Sequence, residues 1–371
     1  MCTAAVIIPT FNPGNNLIEL VTELNRYPFH EIIIVNDGSN DPASGNIFRQ
    51  LAQYPVCRIL THEKNQGKGA ALKSGFADYL ARNPEGIGCI TTDDDGQHAV
   101  ADIHRIALAF EKNPTALHLG CRNFEKSVVP WKSRFGNKVT RAVFRTISGL
   151  NISDTQTGLR AIPAGVMKSA LAIRCDHFEF EMEMLLRAGE NAVPVREIPI
   201  QTIYRENNAG SRFHPLKDSA QIYGVIFHRL LHQFCRFLIS ALSSGILDLL
   251  LFTLFIHLFA AMASQDGKYA LPVLGICAAA RIISAVWNYL LNRYWVFPAE
   301  KKGRGGTGKS VLGYFLLCIF IFALSGTATS LLALTVPLTA LPYWKAGIDV
   351  LLFLLSFLVQ KTAVFRTRYS Q

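Results

Sequence analysis

Residues 31–39 read EIIIVNDGS, and this stretch decides the fold of the first half of the chain. Three consecutive isoleucines and a valine predict a strand that is buried on both faces, because a strand with one solvated face alternates apolar and polar residues. The polar segment Asn36–Asp41 follows at once, and Gly38 allows a sharp turn there. A helical pattern over residues 43–53 comes next, so the stretch predicts a strand–turn–helix unit.

The same alternation extends through the first half of the sequence. Strands are predicted at Ala4–Ile8, Glu31–Val35, Cys57–His62 and Gly88–Thr92, and helices at residues 15–25, 43–53 and 69–81. Strands that alternate with helices predict an α/β domain whose mostly parallel sheet carries helices on both faces. Ligands of such sheets bind beyond the carboxyl ends of the strands, where the polar segments of this chain are expected to lie.

The second half of the chain has a different composition. Of 371 residues, 50% are hydrophobic and 17% are charged, and residues 230–371 hold 12 Lys and Arg against 4 Asp and Glu. Four apolar stretches lie at about 237–259, 269–291, 311–334 and 343–360, and a spanning helix needs about 20 apolar residues. We expect an α/β domain over 1–229 and an all-α, four-helix transmembrane domain over 230–371, rather than a nucleic-acid binder.

Loop charges predict the orientation of these helices. The loop 292–310 and the C-terminal tail are rich in Lys and Arg, so the positive-inside rule places them, with both termini and the first domain, in the cytosol. Near the middle of the first two spans, Asp248 and Arg281 are expected to pair, since an isolated charge there is costly. The eight cysteines form no CxxC pair, which argues against a disulfide framework or zinc site, and no long-period repeat is evident.

Two polar segments of the first half are candidates for chemistry. Residues 92–98 read TDDDGQH, and three adjacent carboxylates repel one another unless a cation offsets them. A divalent ion prefers oxygen ligands, which Asp95 and the amide oxygen of Gln97 could supply beside substrate phosphates; the alternative is a solvated acidic loop. The Gly-rich basic turn Lys64–Ala71 opens a helix, where backbone N–H groups could meet an anion.

Taken in order, these motifs resemble family 2 glycosyltransferases of the GT-A fold. The resemblance rests on Val6–Asn12, Val35–Ser39, Asn65–Gly69 and Asp93–His98, and it is nearest to dolichol- and polyprenyl-phosphate sugar synthases through Gly120–Arg122, Asp154–Arg160 and Phe178–Glu181. The later segment Asn288–Phe297 is similar to the GtrA-like membrane domain. The chain departs from the family pattern at Pro13, where an acid is common, and at Asn36, where a second Asp is common.

The resemblance implies a function. It implies an inverting glycosyltransferase that moves a hexose from a nucleotide sugar of the GDP-mannose or UDP-glucose type to a polyprenyl phosphate, undecaprenyl or dolichyl, at the cytoplasmic face of a prokaryotic plasma membrane. It also implies a divalent metal ion, Mg²⁺ or Mn²⁺, as cofactor. A non-prenyl lipid acceptor and a protein that translocates lipid-linked sugars remain alternatives.

The resemblance also implies roles for particular residues. Catalytic roles are expected for Asp93, Asp95, Arg122 and Arg134, and metal binding for Asp95 and Gln97. Nucleotide binding is expected at Pro9, Phe11, Val35, Asp37, Lys68, Asp93, Asp94 and Asp95. The acceptor phosphate is expected at Arg122, Arg134, Lys138, Arg205 and Arg212. Two cationic amphipathic stretches, Trp131–Leu150 and Leu216–Phe234, are expected to lie on the membrane, unless they pack as helices of the domain core.

Overall fold

The computed structural model describes residues 4–122, 138, 140–145, 148, 150–201, 203, 215–260, 270–297, 307–335, 337 and 340–365. The chain divides into two compact units, and the boundary between them falls after Phe227. The first unit is a mixed α/β domain of the GT-A type, and the second is helical.

A seven-stranded sheet forms the centre of the first unit. The strands are β1 (Ala5–Thr10), β2 (Ile32–Asn36), β3 (Cys57–Thr61), β4 (Gly88–Thr91), β5 (Leu117–Arg122), β6 (Arg160–Pro163) and β7 (Val195–Ile200), in the order β3-β2-β1-β4-β6-β5-β7. The first four strands run parallel to one another, whereas β6 runs antiparallel to both of its neighbours. The carboxyl ends of β1, β2 and β4 therefore lie side by side at one edge of the sheet.

Helices cover both faces of this sheet, as the alternating pattern predicted. They are α1 (Asn15–Leu24), α2 (Ser44–Leu51), α3 (Lys68–Arg82), α4 (Val100–Lys112), α5 (Ala164–Ala170) and α6 (Glu179–Glu190). Alternate residues of β1 point to opposite faces, so Ile7 packs in the core with α3 and α6, and Ile8 packs in the core with α1 and α4. Burial on both faces explains why the strands are continuously apolar.

The two amphipathic stretches contribute to the domain core in the parts that the structure describes. Phe144 and Ile226 are buried in the same core as Ile7, and the hydroxyl groups of Thr140 and Tyr223 are 2.8 Å apart. These contacts correspond to the core-helix alternative. Lys138 is exposed to solvent.

The described residues of the second unit include four long helices. They are α7 (Pro215–Ala260), which begins in the first unit, α8 (Ala270–Leu291), α9 (Thr307–Ala333) and α10 (Leu341–Val359). Among the residues that the structure describes, three segments are long and apolar enough to cross a membrane: Tyr223–Phe255, Gly308–Leu332 and Tyr343–Val364. The remaining predicted stretch, 269–291, coincides with α8, although the side chains of its first residues lie outside the described part of the chain. The predicted pair of Asp248 and Arg281 is confirmed, with 3.2 Å between carboxylate and guanidinium.

Candidate active site

The loop after β2 is held by the carboxylate of Asp37. One oxygen of Asp37 accepts the backbone N–H of Gln66 at 3.0 Å, and the other accepts the N–H of Gly67 at 2.8 Å. His62 Nδ1 lies 2.7 Å from Asp37, and His62 Nε2 lies 2.8 Å from the hydroxyl group of Ser74. The buried carboxylate of Asp37 thus fixes the Gly-rich turn. The expected contact between Asp37 and a nucleobase stays a prediction.

Gly38 makes a close approach possible between this loop and the Gly-rich turn. It adopts a φ of 67°, and a Cβ atom there would lie 2.2 Å from the backbone of Lys64. A residue with a side chain would therefore be strained in its backbone and would also clash. The polar loop at Asn36–Asn40 is anchored in addition by Asn36, whose side-chain oxygen accepts the N–H of Ser39 at 2.9 Å.

Lys68 links two acidic groups at the end of β4. Its Nζ atom lies 2.7 Å from Asp93 and 2.9 Å from Glu181, which α6 contributes. Burial alone would raise the pKa of Asp93, but the charge and hydrogen bond of Lys68 and the charge of Arg122 outweigh that effect and lower the pKa to about 2. Asp93 is therefore a carboxylate at neutral pH, and Lys68 is expected to remain a cation between two acids.

Asp95 has the opposite electrostatic environment. Burial, followed by the negative charge of Asp93, raises the pKa of Asp95 to about 6. Its carboxylate accepts the backbone N–H of Gln97 at 3.0 Å, and Asp94 beside it accepts the hydroxyl group of Thr10 at the end of β1. The protein leaves the charge of Asp95 incompletely balanced.

The residues present fit a divalent cation that the substrate helps to hold. Among the described residues, no group of three or more His, Cys, Asp and Glu side chains forms a ready metal cage. Mg²⁺ usually takes one or two carboxylates from the protein and completes its shell with water and substrate phosphates, so Asp95 with the Gln97 amide oxygen is a suitable set. A cation there would also stabilise the ionised form of Asp95 and so lower its pKa.

His98 is buried next to the acidic segment and holds it through hydrogen bonds. Its Nδ1 atom lies 3.1 Å from the hydroxyl group of Thr92 and 3.4 Å from the backbone nitrogen of Asp93, so it accepts hydrogen bonds from this turn. Burial lowers the pKa of His98, which favours the neutral ring. The residue supports the shape of the acidic turn.

The loop 154–158 also borders the site, beside the acidic segment. Arg122 at the end of β5 makes a forked pair with the fully buried Asp154, at 2.7 and 3.2 Å. The fully buried Arg160 donates to the carbonyl groups of Thr157 and Glu181, both at 2.8 Å. The loop is thereby tied to β5, β6 and α6.

Gly158 brings this loop against the acidic segment. A Cβ atom at Gly158 would lie 2.1 Å from an oxygen of Asp93, so the carboxylate packs directly on the glycine. The carbonyl group of Gly158 accepts the hydroxyl group of Thr91 at 2.9 Å, which anchors the loop to β4. The position of Asp93 is therefore set from two sides, by Lys68 and by Gly158.

The structure brings most of the predicted nucleotide-binding residues to one edge of the sheet. Phe11, Asp37 and the three acids 93–95 follow the ends of β1, β2 and β4, and Lys68 begins α3. The side chain of Val35 is fully buried in the core and that of Pro9 is also buried, so only the backbone of these two could face a nucleotide. Arg134, Arg205 and Arg212 lie outside the described residues.

Three residues that sequence reasoning did not assign to the site are central to its geometry. Glu181 contacts Lys68, Asp154 contacts Arg122, and Arg160 holds the loop between them. All three stand in segments that carried the family resemblance, but nothing local in those segments indicates which side chain turns toward the site. His62 was equally hidden, since it lies 25 residues from Asp37.

Comparison with known proteins agrees with this architecture. Residues 5–168 match the family described as Glycosyl transferase family 2, and residues 236–365 match the GtrA/DPMS transmembrane domain. The polyprenol monophosphomannose synthase of Mycolicibacterium smegmatis is 30% identical over 209 residues, which cover 54% of this chain and 77% of that protein.

Two further proteins are similar to parts of the chain. The UDP-N-acetylglucosamine–dolichyl-phosphate N-acetylglucosaminyltransferase of Methanococcus voltae is 27% identical over 61% of this chain and 94% of its own. A crystal structure of GalNAc-T7 with UDP, GalNAc and Mn²⁺ aligns with 61% of this chain and 48% of that one, at 15% identity and a TM-score of 0.36, which is too distant for a comparison of residues.

The relatives named for their reactions transfer sugars to lipid phosphates, and the catalytic unit, the membrane helices and both matched domains occur here in the same chain. The chain is a membrane-embedded glycosyltransferase that belongs to glycosyl transferase family 2 and carries a C-terminal GtrA/DPMS transmembrane domain.

Proposed function

We propose that this enzyme transfers a hexose from a nucleotide sugar to a polyprenyl phosphate, with inversion, and releases a polyprenyl-phosphate sugar. The observation that carries the proposal is the convergence of Asp93, Asp95 and Lys68 beyond the parallel strands, in a chain that also carries membrane-spanning helices. The donor is expected to be of the GDP-mannose or UDP-glucose type, and the reaction is expected at the cytoplasmic face of a prokaryotic plasma membrane.

The acceptor explains why the site needs no strong base. A lipid phosphate is already ionised near neutral pH, so its oxygen can attack the anomeric carbon without first losing a proton to the protein. His98, the histidine next to the acids, is buried and held in hydrogen bonds to the turn, which suits a structural role. The demanding part of the reaction is the departure of the nucleoside diphosphate.

Each residue of the site then has a distinct task. Asp95 with the Gln97 amide would hold a divalent cation, which when bound neutralises charge that develops on the leaving diphosphate. Asp93 stays ionised beside Lys68 and is placed to orient the donor or water at that cation. Arg122 is already engaged with Asp154, but its 23% exposed side chain can still present N–H groups to a phosphate.

Transfer of label tests the proposal directly. Full-length enzyme in neutral detergent is incubated with radiolabelled GDP-mannose or UDP-glucose and with either undecaprenyl phosphate or diacylglycerol. We expect label in an acid-labile lipid with undecaprenyl phosphate only. Label in diacylglycerol would establish the alternative acceptor, and no transfer from either nucleotide sugar to either lipid would overturn the proposal.

The same assay tests the proposed cation site. Asp95→Ala should reduce turnover by orders of magnitude, and excess chelator should abolish the activity of the wild type. Glu85→Ala removes an exposed carboxylate from a surface turn and serves as the matched control, which should retain full activity. Full activity in excess chelator would refute the metal requirement.

A further inference from the structure

The second unit contains an internal repeat at the ends of α8 and α10. Residues 292–297 read NRYWVF and residues 360–365 read QKTAVF, so amide, cation, valine and phenylalanine recur at an offset of 68 positions. Both segments are π-helical, and in each the N–H of the phenylalanine donates to the carbonyl of the first residue at 2.8 Å. Phe297 and Phe365 stack on each other with ring centres 5.4 Å apart.

The contacts of the two segments also repeat. The amide of Asn292 donates to the amide oxygen of Gln360 at 3.0 Å, which joins the two halves. Arg293 of the first segment donates to Ser310 of α9, and Lys361 of the second donates to Gln233 of α7 at 2.6 Å. Each cation thus reaches across to the first helix of the other hairpin, and together these six residues form what we call the polar layer.

The surroundings of the polar layer are cationic without acidic residues. The described segments 228–236, 288–297, 307–314 and 358–365 contain five Lys and Arg and no Asp or Glu. Lys361 is only 8% exposed, and within the described residues no carboxylate lies at ion-pair distance from it. An ammonium group buried beside a neutral amide is costly unless an anion compensates it.

Two further observations indicate a ligand rather than a purely structural layer. The side-chain oxygen of Asn292 is fully buried and has no partner among the described residues, so it is an unmatched acceptor that the P–OH group of a singly ionised phosphomonoester could satisfy. π-helical turns inside α-helices are rare and are often found at functional sites. A positive-inside flank would explain exposed cations, but it does not explain a lysine drawn inward beside Gln233.

The position of the layer restricts the anion to the head-group level of the bilayer. The candidate span Gly308–Leu332 begins two residues before Ser310, and the span Tyr343–Val364 ends three residues after Lys361. Chemical groups at this depth contact lipid head groups rather than acyl chains. A phosphate group matches a paired lysine and arginine through charge-assisted hydrogen bonds.

We propose that the polar layer of the membrane unit binds the phosphate of a lipid phosphomonoester, with Lys361 and Arg293 as its cationic contacts. This site shares no residue with the acidic site of the first unit. The proposal rests on the proposed function in one respect: the phosphomonoester lipid of that reaction is a polyprenyl phosphate. The polar layer should therefore bind the lipid phosphate even when no nucleotide sugar is present.

Equilibrium binding to the full-length protein in neutral-detergent micelles tests the proposal. The ligands are undecaprenyl phosphate, phosphatidic acid, the diester phosphatidylglycerol and inorganic phosphate, all without nucleotide sugar. We expect both phosphomonoester lipids to bind more tightly than phosphatidylglycerol or inorganic phosphate. Lys361→Met should weaken their binding roughly tenfold or more, because it removes a charge-assisted hydrogen bond to the phosphate. Methionine has a side chain of similar length and shape to lysine.

Lys345→Met is the matched control. Lys345 lies near the start of α10, which leads into the segment of Lys361; it is half-exposed and pairs with Asp349, so its removal should leave lipid binding unchanged. Lys361→Arg keeps the charge and should retain most of the affinity. Lys361→Met should also fold normally, because it replaces a buried cation with an apolar side chain, and an unchanged melting temperature verifies this.

Three results would overturn the proposal: equal binding by Lys361→Met and Lys345→Met, preference for the diester lipid, or inorganic phosphate bound as tightly as the lipids. The last result would indicate a site for free phosphate. A sugar-transfer activity that survives while Lys361→Met binds lipid normally would remove this site but leave the proposed function intact. A wild type that transfers no sugar, but whose lipid binding is weakened by Lys361→Met, would overturn the proposed function and leave this site intact.

Discussion

Gly158→Ala is a small change with a large expected effect on turnover. The new Cβ atom would lie 2.1 Å from an oxygen of Asp93, and Cβ contacts under 3.0 Å essentially do not occur. Either the carboxylate or the loop must move by about 0.9 Å to reach even that limit. The loop is tied through the Gly158 carbonyl to Thr91, and Asp93 is tied to Lys68 at 2.7 Å, so neither can move without losing a hydrogen bond.

The geometry gives the expected size of the loss. A misplacement of about 1 Å at a reacting centre can cost about 100-fold in rate, which corresponds to about 2.7 kcal/mol in the activation barrier. The backbone of Gly158 has no positive φ, so alanine is compatible with the local conformation and the protein should still fold. We therefore expect a fall of about two orders of magnitude in kcat with a similar melting temperature.

The assay is sugar transfer to undecaprenyl phosphate at saturating donor, with the melting temperature measured on the same preparation. Gly165→Ala is the matched control, because Gly165 has open space around it at the start of α5 and alanine should favour that helix slightly. A Gly158→Ala enzyme within threefold of the wild type would refute the reasoning. So would an equal loss in Gly165→Ala.

Two further predictions concern charge. Asp248→Ala and Arg281→Ala should each lower the melting temperature in detergent, and a double-mutant cycle should give a coupling of about 1 kcal/mol. The pair Lys345–Asp349, which spans a single helical turn and begins near the end of its span, should give about 0.3–0.5 kcal/mol. Strictly additive losses for the first pair would contradict this. Burial and then the charge of Asp93 raise the pKa of Asp95 from 3.8 to about 6, so ionisation of Asp95 opposes folding in metal-free protein. The contribution of Asp95 to stability is present below pH 4 and is lost as the pH rises through 6. Asp95→Asn should therefore flatten that part of the plot of melting temperature against pH. Identical plots for the two proteins would show that Asp95 is not the group responsible.

The first four strands and the first three helices of the first unit could be predicted from the sequence because their signals are local. Continuous apolar runs bounded by polar turns predicted β1 to β4 within a few residues, and β1 differs mainly by continuing through Pro9 to Thr10, whereas β5, β6 and β7 were not predicted. Proline donates no hydrogen bond, yet Pro9 pairs in register with Val35 because the strand remains extended at that position. The acidic segment and the Gly-rich turn were equally visible, since each is a short run of unusual composition.

The order of the strands and the partners of the charged groups depend on tertiary structure. Strand β6 inserts antiparallel between β4 and β5, and nothing in the four residues of β6 specifies either neighbour. Lys68 meets Glu181 across more than one hundred residues, and the contact exists only because α3 and α6 cover the same face of the sheet. Side-chain pairing over such distances follows from packing, which local periodicity does not encode.

In the membrane unit, too, some features could be predicted from the sequence and others depend on tertiary structure. Apolar length predicted the three described segments that could cross a membrane, and the cost of an isolated charge in a membrane predicted the pair Asp248–Arg281, because hydropathy and charge belong to single positions in the sequence. The repeat at 292–297 and 360–365 was not evident, since it conserves the kind of side chain rather than its identity. Only the folded helices bring Asn292 onto Gln360 and turn Lys361 inward to Gln233, because these contacts join residues 68 and 128 positions apart.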